Sequence, residues 1–346
     1  MKPLSDVLQK GVFVIAEIGC NFENDIERAK QMIRKAAEAG AGAVKFQTFQ
    51  AEKLTTRHAE KFWEIEGCPG ETQYEEFKQM PHLTFDQYRH LYEEAQRAGV
   101  VFFSTPEDED SADLLEAVGV PMYKISSMNV TNHPLLVHVA RKMKPIILST
   151  GASTIGEIEE AIRIVRDTGN RDMAILHCIS NYPTKDEHVN LRMLCHLRDV
   201  FPGIPVGYSD HTLPDRHYGI LAAAVALGAQ VIEKHFTFDA SRPGYDHAIS
   251  ADYEGLKVMI EQIRKVEKAL GESCKRPIES EAKARVHARR SVVSTCFIRA
   301  GESITERNVA VKRPGTGIEP RFLRIVVGRK AVRDIPEDTV IQWDMI

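Results

Sequence analysis

Several things are missing from this chain, and each absence removes a class of function. No apolar run approaches the ~20 residues that a bilayer-crossing helix needs. The N-terminus, MKPLSDVLQKGVFVIAEIG, has neither the apolar stretch nor the small-residue cleavage site of an export signal. There is no basic stripe and no acidic tail. The 45 Lys and Arg and 49 Asp and Glu are interspersed and leave a formal net charge of -4, which argues against a nucleic-acid partner and against a disordered solvating segment. Cysteine is sparse and scattered: Cys20, Cys68, Cys178, Cys195, Cys274 and Cys296 contain no C-x-x-C pair, the pattern of reduced thiols rather than a disulfide framework. A cytoplasmic protein with no membrane or nucleic-acid partner is the expectation.

What is present is the material of a large core. Hydrophobic residues make up 43% of the 346 and charged residues 27%, as in an ordinary globular protein. Short apolar, β-branched runs alternate regularly with amphipathic helical patterns: VFVIAEIG, AVKFQTF, VVFFSTP, MYKISS, PIILSTG, MAILHCIS, VGYSDHT and VIEKHFTF are each followed by a helix-like stretch. Gly40, Gly99, Gly169 and Gly228 close several of these helices, where a C-cap needs positive φ. Repeated strand–helix units demand a parallel sheet, and eight of them close into a (β/α)8 TIM barrel. A doubly wound open sheet would want a glycine-rich phosphate turn after its first strand, and EIGCNFEND does not supply G-x-G-x-x-G. The barrel is expected over 1–270. A charged, apolar-poor linker or solvated helix covers 271–288, and a β-rich module covers 289–346, near the lower size of ~60 residues for folding alone.

In parallel barrels the chemistry gathers at the C-terminal strand ends. Here those ends carry Glu17, Lys45 and Gln47, Ser104, Lys124 and Ser127, Ser149, Ser180, Ser209 and His211, and Glu233 and His235. Strand ends that merely meet water would need only a polar residue or two, not one on every strand. Side-chain alternation puts Ser209 with His211 on one face and Glu233 with His235 on one face, while Asp210 and Lys234 point away. Each histidine alone reads as an ordinary hydrogen-bonded one. Together, on adjacent strands, two imidazoles can converge on a divalent ion whose shell stays open to water and substrate oxygen, which suits Mn²⁺ or Mg²⁺ better than structural zinc. Asp210 is a candidate to orient a ligand from behind. Lys45 and Lys124, ringed by hydroxyls, suit a phosphate, with buried salt-bridged lysines as the plain alternative.

The motifs IAEIGCNFENDIERAKQMIRKAAEAGAGAVKFQT, YKISS, ILSTG, GYSDHT, EKHFT and RPGYDH resemble the sialic acid (nonulosonic acid) synthase family, of which N-acetylneuraminate synthase is one type. VKRPGTGI resembles that family's C-terminal antifreeze-like (SAF, β-clip) domain, so the likeness runs nearly end to end. It implies condensation of phosphoenolpyruvate with an N-acylated hexose to a nine-carbon α-keto acid, with Mn²⁺ or Mg²⁺ and release of phosphate. Carried over, it places His211 and His235 on the metal, and Lys45, Lys124, Ser127, Ser149, Ser180 and Ser209 around phosphoenolpyruvate. Glu17, Gln47, Tyr182 and Asp246 would face the sugar, with Glu17 and Glu233 as candidates for proton handling. Arg313 would reach across from the other subunit of a domain-swapped homodimer. Two loop positions depart from the family pattern: Asn21-Phe22 stands where many members have Asn-His, and Asn129 where many carry an acid. A Schiff-base aldolase using Lys45 or Lys124, another phosphoenolpyruvate synthase making a shorter sugar acid, and a non-catalytic sugar-binding paralogue remain the rival readings. The sequence leaves the acceptor open between N-acetylmannosamine and a diacetamido-trideoxy hexose.

Overall fold

A computed structural model describes residues 4–63, 67 and 70–346, and the chain divides into two compact units, Met1–Gly271 and Glu272–Ile346. In the first, β1 (Phe13–Gly19), β2 (Ala43–Thr48), β3 (Val101–Pro106), β4 (Tyr123–Ile125), β5 (Ile146–Ser149), β6 (Met173–Cys178), β7 (Val206–Asp210) and β8 (Val231–His235) close a barrel in chain order. All neighbours are parallel, and β8 pairs back onto β1. Helices between them are set by local chemistry. Thr84 and Thr154 form capping boxes with Gln87 and Glu157, and Asp25, Asp108 and Asp252 cap by accepting backbone N–H groups. Gly40, Gly99, Gly169 and Gly228 lie at φ 96°, 77°, 95° and 101°, a region in which a Cβ would be strained.

Alternation along each strand sorts the apolar residues into two cores. Val14, Ala16, Ile18, Val44, Phe46 and Phe102 face outward and pack under helices, with Met32, Ile33, Leu91 and Ile263 against them. Phe13, Ile15, Ala43, Phe103, Ile147, Leu176 and Val231 face inward and fill the barrel's lower half. Leu4, on a short N-terminal helix, joins this inner cluster, and its N–H donates to the Asp172 carboxylate at 3.1 Å. The apolar fill stops one layer below the strand ends, and the next inward residues are polar.

Residues 271–290 contain no buried side chain, and a 3-10 turn, Glu279–Glu281, leads there into a short helix, Ala282–His287. The second unit pairs β9 (Ser291–Ser294) antiparallel with β10 (Val309–Lys312) and adds isolated bridges such as Ile298 to Ile335 and Ser303 to Lys330. Val292, Ile298, Ile304, Ile318, Val326, Ile335 and Ile341 form its own small core. Cys20, Cys178, Cys195, Cys274 and Cys296 are free thiols, and Cys68 lies outside the described residues. Among the described residues no helix is long and apolar enough to cross a membrane.

Candidate active site

Above the apolar floor, the inward side chains line a cavity of about 470 Å³. Strand register sets their levels: Glu17 stands beside Lys45 and beside His235, and Ser209 beside Glu233. Glu17, Lys45, Gln47, Lys124, Ser127, Ser149, Ser180, Tyr182, Ser209, His211, Glu233, His235 and Asp246 all line this one cavity. Arg313 belongs to the second unit and is exposed there.

At its base lie two buried lysines and two buried carboxylates. The Lys45 ammonium is 2.6 Å from Glu17 Oε2, off the direction of a hydrogen bond, and it donates to Thr105 Oγ1 at 3.0 Å. Gln47 Nε2 donates to Glu17 Oε1 at 3.1 Å. Lys124 donates to Ser149 Oγ at 2.6 Å and stands 3.8 Å from Glu233, which also accepts from Ser209 Oγ at 2.9 Å. The second oxygen of Glu233 has no hydrogen-bond partner. Burying charged and polar atoms without partners is costly, so these atoms are set up for a ligand the cavity receives.

The two carboxyls are pushed apart. Burial raises Glu17 to about 7, against the pull of Lys45. Burial alone would also raise Glu233, but Lys124, Lys45 and the Ser209 hydroxyl outweigh it and bring it below the ordinary value. The lysines differ too. Burial lowers Lys124, whereas Glu17 and Glu233 overcome burial at Lys45 and raise it.

A ring of small donors stands beside Lys124. Gly151 N–H donates to Ser127 Oγ at 2.9 Å, and Cys178 Sγ is 3.1 Å from the same hydroxyl. A Cβ on Gly151 would fall 2.4 Å from Ser180 Oγ and 2.8 Å from Cys178 Sγ, so only glycine lets these side chains close up.

The imidazoles of His211 and His235 lie with ring centroids 5.6 Å apart, and Tyr182 covers His211 at 4.2 Å. His211 Nδ1 is 2.7 Å from the Ile179 carbonyl. A carbonyl only accepts, so Nδ1 carries the proton and Nε2 keeps a free lone pair. Nδ1 of His235 is buried with no hydrogen-bond partner, 3.4 Å from Asp246 Oδ2. Burial holds both rings neutral, with His211 lowered to about 4 and His235 also well below the usual range. Neutral imidazoles with an available nitrogen are the donor set a divalent cation wants. Among the described residues no group of three or more His, Cys, Asp or Glu is placed to hold a metal ion. An ion here would take two protein nitrogens and complete its shell from water and substrate.

Asp210 does not orient either histidine. Its carboxylate pairs with Lys234 at 2.5 Å and accepts from Tyr208 and Thr212, while the Ile179 carbonyl does the orienting of His211. Ser104 also faces away from the cavity, bonded to Thr48 at 2.7 Å. The residues of β3 that line the cavity are Thr105 and, just beyond the strand, Glu107. The register Lys45 to Phe103 and Gln47 to Thr105 was the signal that would have corrected this one-residue slip.

A model of the NeuB family matches residues 32–275, and a model of the SAF domain matches residues 289–346. The chain belongs to the NeuB family. It is 40% identical over 342 residues to an N,N'-diacetyllegionaminic acid synthase of Legionella pneumophila, covering 96% of this chain and 94% of that one. It is 34% identical over 340 residues to the human N-acetylneuraminate-9-phosphate synthase, covering 98% and 93%. A crystal structure of the N-acetylneuraminic acid (sialic acid) synthetase of Leptospira borgpetersenii serovar Hardjo-bovis, in complex with citrate, superposes with a TM-score of 0.71 at 32% identity, covering 79% of this chain and 90% of that one.

Within this NeuB-family barrel, the departures read from sequence have separate fates. Phe22 is 2% exposed and packs edge-on to Phe46 at 5.7 Å in the outer core, away from the cavity. Its neighbour Asn21 ties the end of β1 to the loop after β8, donating to the Phe236 carbonyl and to Ser250 and accepting from the N–H of Asp246. Asn129 donates to the carboxylate of Glu107. The apolar wall of the cavity, with Phe49, Phe62, Trp63 and Phe77, comes from the long β2–β3 insertion. Trp63 Nε1 donates to Glu76 at 3.0 Å, and Phe49 and Phe77 pack edge to face at 5.3 Å.

Proposed function

We propose that this chain condenses phosphoenolpyruvate with an N-acylated hexose to a nine-carbon α-keto sugar acid of the sialic, legionaminic or pseudaminic type, releasing phosphate in the cytoplasm. The observation that carries the reading is the single cavity holding two buried lysines, a hydroxyl ring and two neutral imidazoles in a NeuB-family barrel.

Lys45 and Lys124 would hold the anionic substrate, with Ser127, Ser149, Ser180 and Ser209 donating to its oxygens. That contributes orientation and charge stabilisation. His211 and His235 would hold Mn²⁺ or Mg²⁺, which when bound supplies Lewis-acid polarisation of the sugar aldehyde. Gln47, Tyr182 and Asp246 would bind the sugar. The opposed environments of the two base carboxyls separate their roles. Glu17, raised to about 7, can carry a proton to the oxygen of the attacked aldehyde, whereas Glu233, kept ionised, stays the fixed counter-charge of the lysines. In the assembly proposed, two copies pair and Arg313 of one serves the barrel of the other. A sedimentation profile showing only monomer at micromolar concentration would remove that part.

The direct test is phosphate release from phosphoenolpyruvate with Mn²⁺ and a panel of N-acylated hexoses, with and without chelator. Chelator-sensitive release with one sugar establishes the reaction and names the acceptor. Folded, metal-loaded protein that releases nothing with any sugar moves the reading to a binding role. One feature favours the aldolase instead: burial lowers the Lys124 ammonium, as a Schiff-base lysine requires. Borohydride trapping of a pyruvate adduct would select it.

A further inference from the structure

The proposed condensation leaves one proton transfer without a carrier. C3 of phosphoenolpyruvate forms the bond to the sugar carbon, water adds its oxygen to C2, and the bond from C2 to the phosphate oxygen breaks with its electron pair leaving on that oxygen. Water sheds one proton as it adds and another as the C2 hydroxyl becomes the ketone. One of the two ends on the sugar oxygen, which Glu17 serves. The other ends on the departing phosphate.

Glu107, just past the end of β3, is a cavity carboxyl with no part in the reaction so far. Its Oε2 accepts from Ser126 Oγ at 3.1 Å and from Asn129 Nδ2. Both donors fall on that one oxygen. Among the described residues no donor is recorded on Oε1, so the group is anchored at one corner and free at the other. Its anchor Ser126 is the chain neighbour of Ser127 in the hydroxyl ring, and Lys45 and Lys124 line the same cavity. Those two ammoniums are the charged groups acting on it, Lys45 from β2 and Lys124 from β4, and neither is paired with it. Lys45 is engaged by Glu17, and Lys124 by Ser149 and Glu233.

We propose that Glu107 is a further catalytic residue, the carboxyl that protonates phosphate as it leaves C2. The proposal rests on the synthase reading above. The carboxyl O–H passes its proton to the leaving oxygen, and the carboxylate is re-protonated by the proton the C2 hydroxyl sheds. Desolvation supports this by raising the group to about 7, with the two hydrogen bonds and the two lysines pulling the other way. The productive form is the protonated one, so its contribution falls as pH rises through neutrality.

Glu107→Gln tests it, because the amide oxygen can still accept from Ser126 and Asn129 while the proton is gone. With phosphoenolpyruvate, Mn²⁺ and the accepted hexose, kcat for phosphate release should fall about 100-fold. KM for phosphoenolpyruvate should change little, and the part of the alkaline decline that belongs to Glu107 should disappear. The double variant Glu107→Gln/Asn129→Asp exchanges carboxyl and amide across the same hydrogen bond, and should recover at least about tenfold of the lost kcat. Glu107→Gln with wild-type kcat and pH profile would overturn the proposal. So would a loss confined to KM, or a loss that the exchanged pair does not recover in folded protein. Wild-type protein that releases no phosphate with N-acetylmannosamine or a diacetamido-trideoxy hexose overturns the synthase reading itself, and this proposal with it.

Discussion

The outer face of strands β7 and β8 carries a lysine–carboxylate pair, Lys234 with Asp210, while on the inner face the β8 carboxylate Glu233 meets a lysine from β4, and the two arrangements are built to different ends. On the outer face Lys234 lies 2.5 Å from Asp210 and also donates to the Thr212 carbonyl at 2.7 Å. Asp210 takes further donors from Tyr208 at 2.8 Å and Thr212 at 3.0 Å, and Lys234 is 0% exposed. Neither side chain has a buried atom left unpartnered. On the inner face Glu233 sits 3.8 Å from Lys124 with one oxygen unpartnered, near a His235 whose Nδ1 is also unpartnered. A closed buried pair leaves no capacity for a ligand, and removing either partner strands the other. An open one stores hydrogen-bonding capacity that a ligand must satisfy. Alternation along a strand is enough to keep the two a side chain apart.

The comparison is broken most severely by one substitution on each face. His211→Ala, on the inner side, should lower turnover by about a thousandfold or more if it holds the proposed cation, whose Lewis-acid effect would be worth several kcal/mol. Its thermal midpoint should stay close to that of wild type. Lys234→Met, on the outer side, should behave the other way round. It leaves the Asp210 carboxylate buried without its cation, at a cost of about 3–5 kcal/mol, seen as a large fall in the denaturant midpoint. If Lys234→Met were as stable as wild type, the outer pair would not be the structural member of the contrast.

A gentler test acts on the inner face alone. Gly151→Ala puts a methyl 2.4 Å from Ser180 Oγ and 3.0 Å from Ser127 Oγ, where the ring must open to make room. KM for phosphoenolpyruvate should rise about tenfold, equivalent to ~1.4 kcal/mol. An unchanged KM would mean that the serine ring does not hold this substrate.

The same contrast explains what could be read from sequence. Period-two alternation placed Ser209, His211, Glu233 and His235 together and sent Asp210 and Lys234 outward, because a strand's geometry is local and rigid. The eight-fold strand–helix rhythm gave the barrel for the same reason. What the residues did not show was non-local. In β3, phase alone did not choose between Ser104 and Thr105 with Glu107; the choice comes from pairing with β2. The wall of Phe49, Trp63 and Phe77 depends on how a long insertion folds back, and no periodicity encodes that. Asp210 looked like a histidine's partner because it adjoins His211 in sequence, but neighbours on a strand face opposite ways, and the Ile179 carbonyl at the end of the neighbouring strand β6 took that role.

Phe22 gives the smallest effect and the sharpest use of the contrast. Its place beside Asn21, at the end of β1, suggests a loop residue above the cavity. The ring instead points into the outer core, 5.7 Å from Phe46, and is absent from the cavity lining. A residue on that side should act on stability and leave chemistry alone. Phe22→Leu nearly conserves apolar volume and should cost about 1 kcal/mol, within the range for such swaps. kcat and both KM values of the folded fraction should stay within about twofold, since distant sites without shared partners couple by only about 0.3–0.5 kcal/mol. A larger change in the sugar KM, with Asn21 still holding the Asp246 loop, would show that the outer core and the cavity are coupled through the end of β1. The separation of faces would then hold for β7 and β8 but fail at β1.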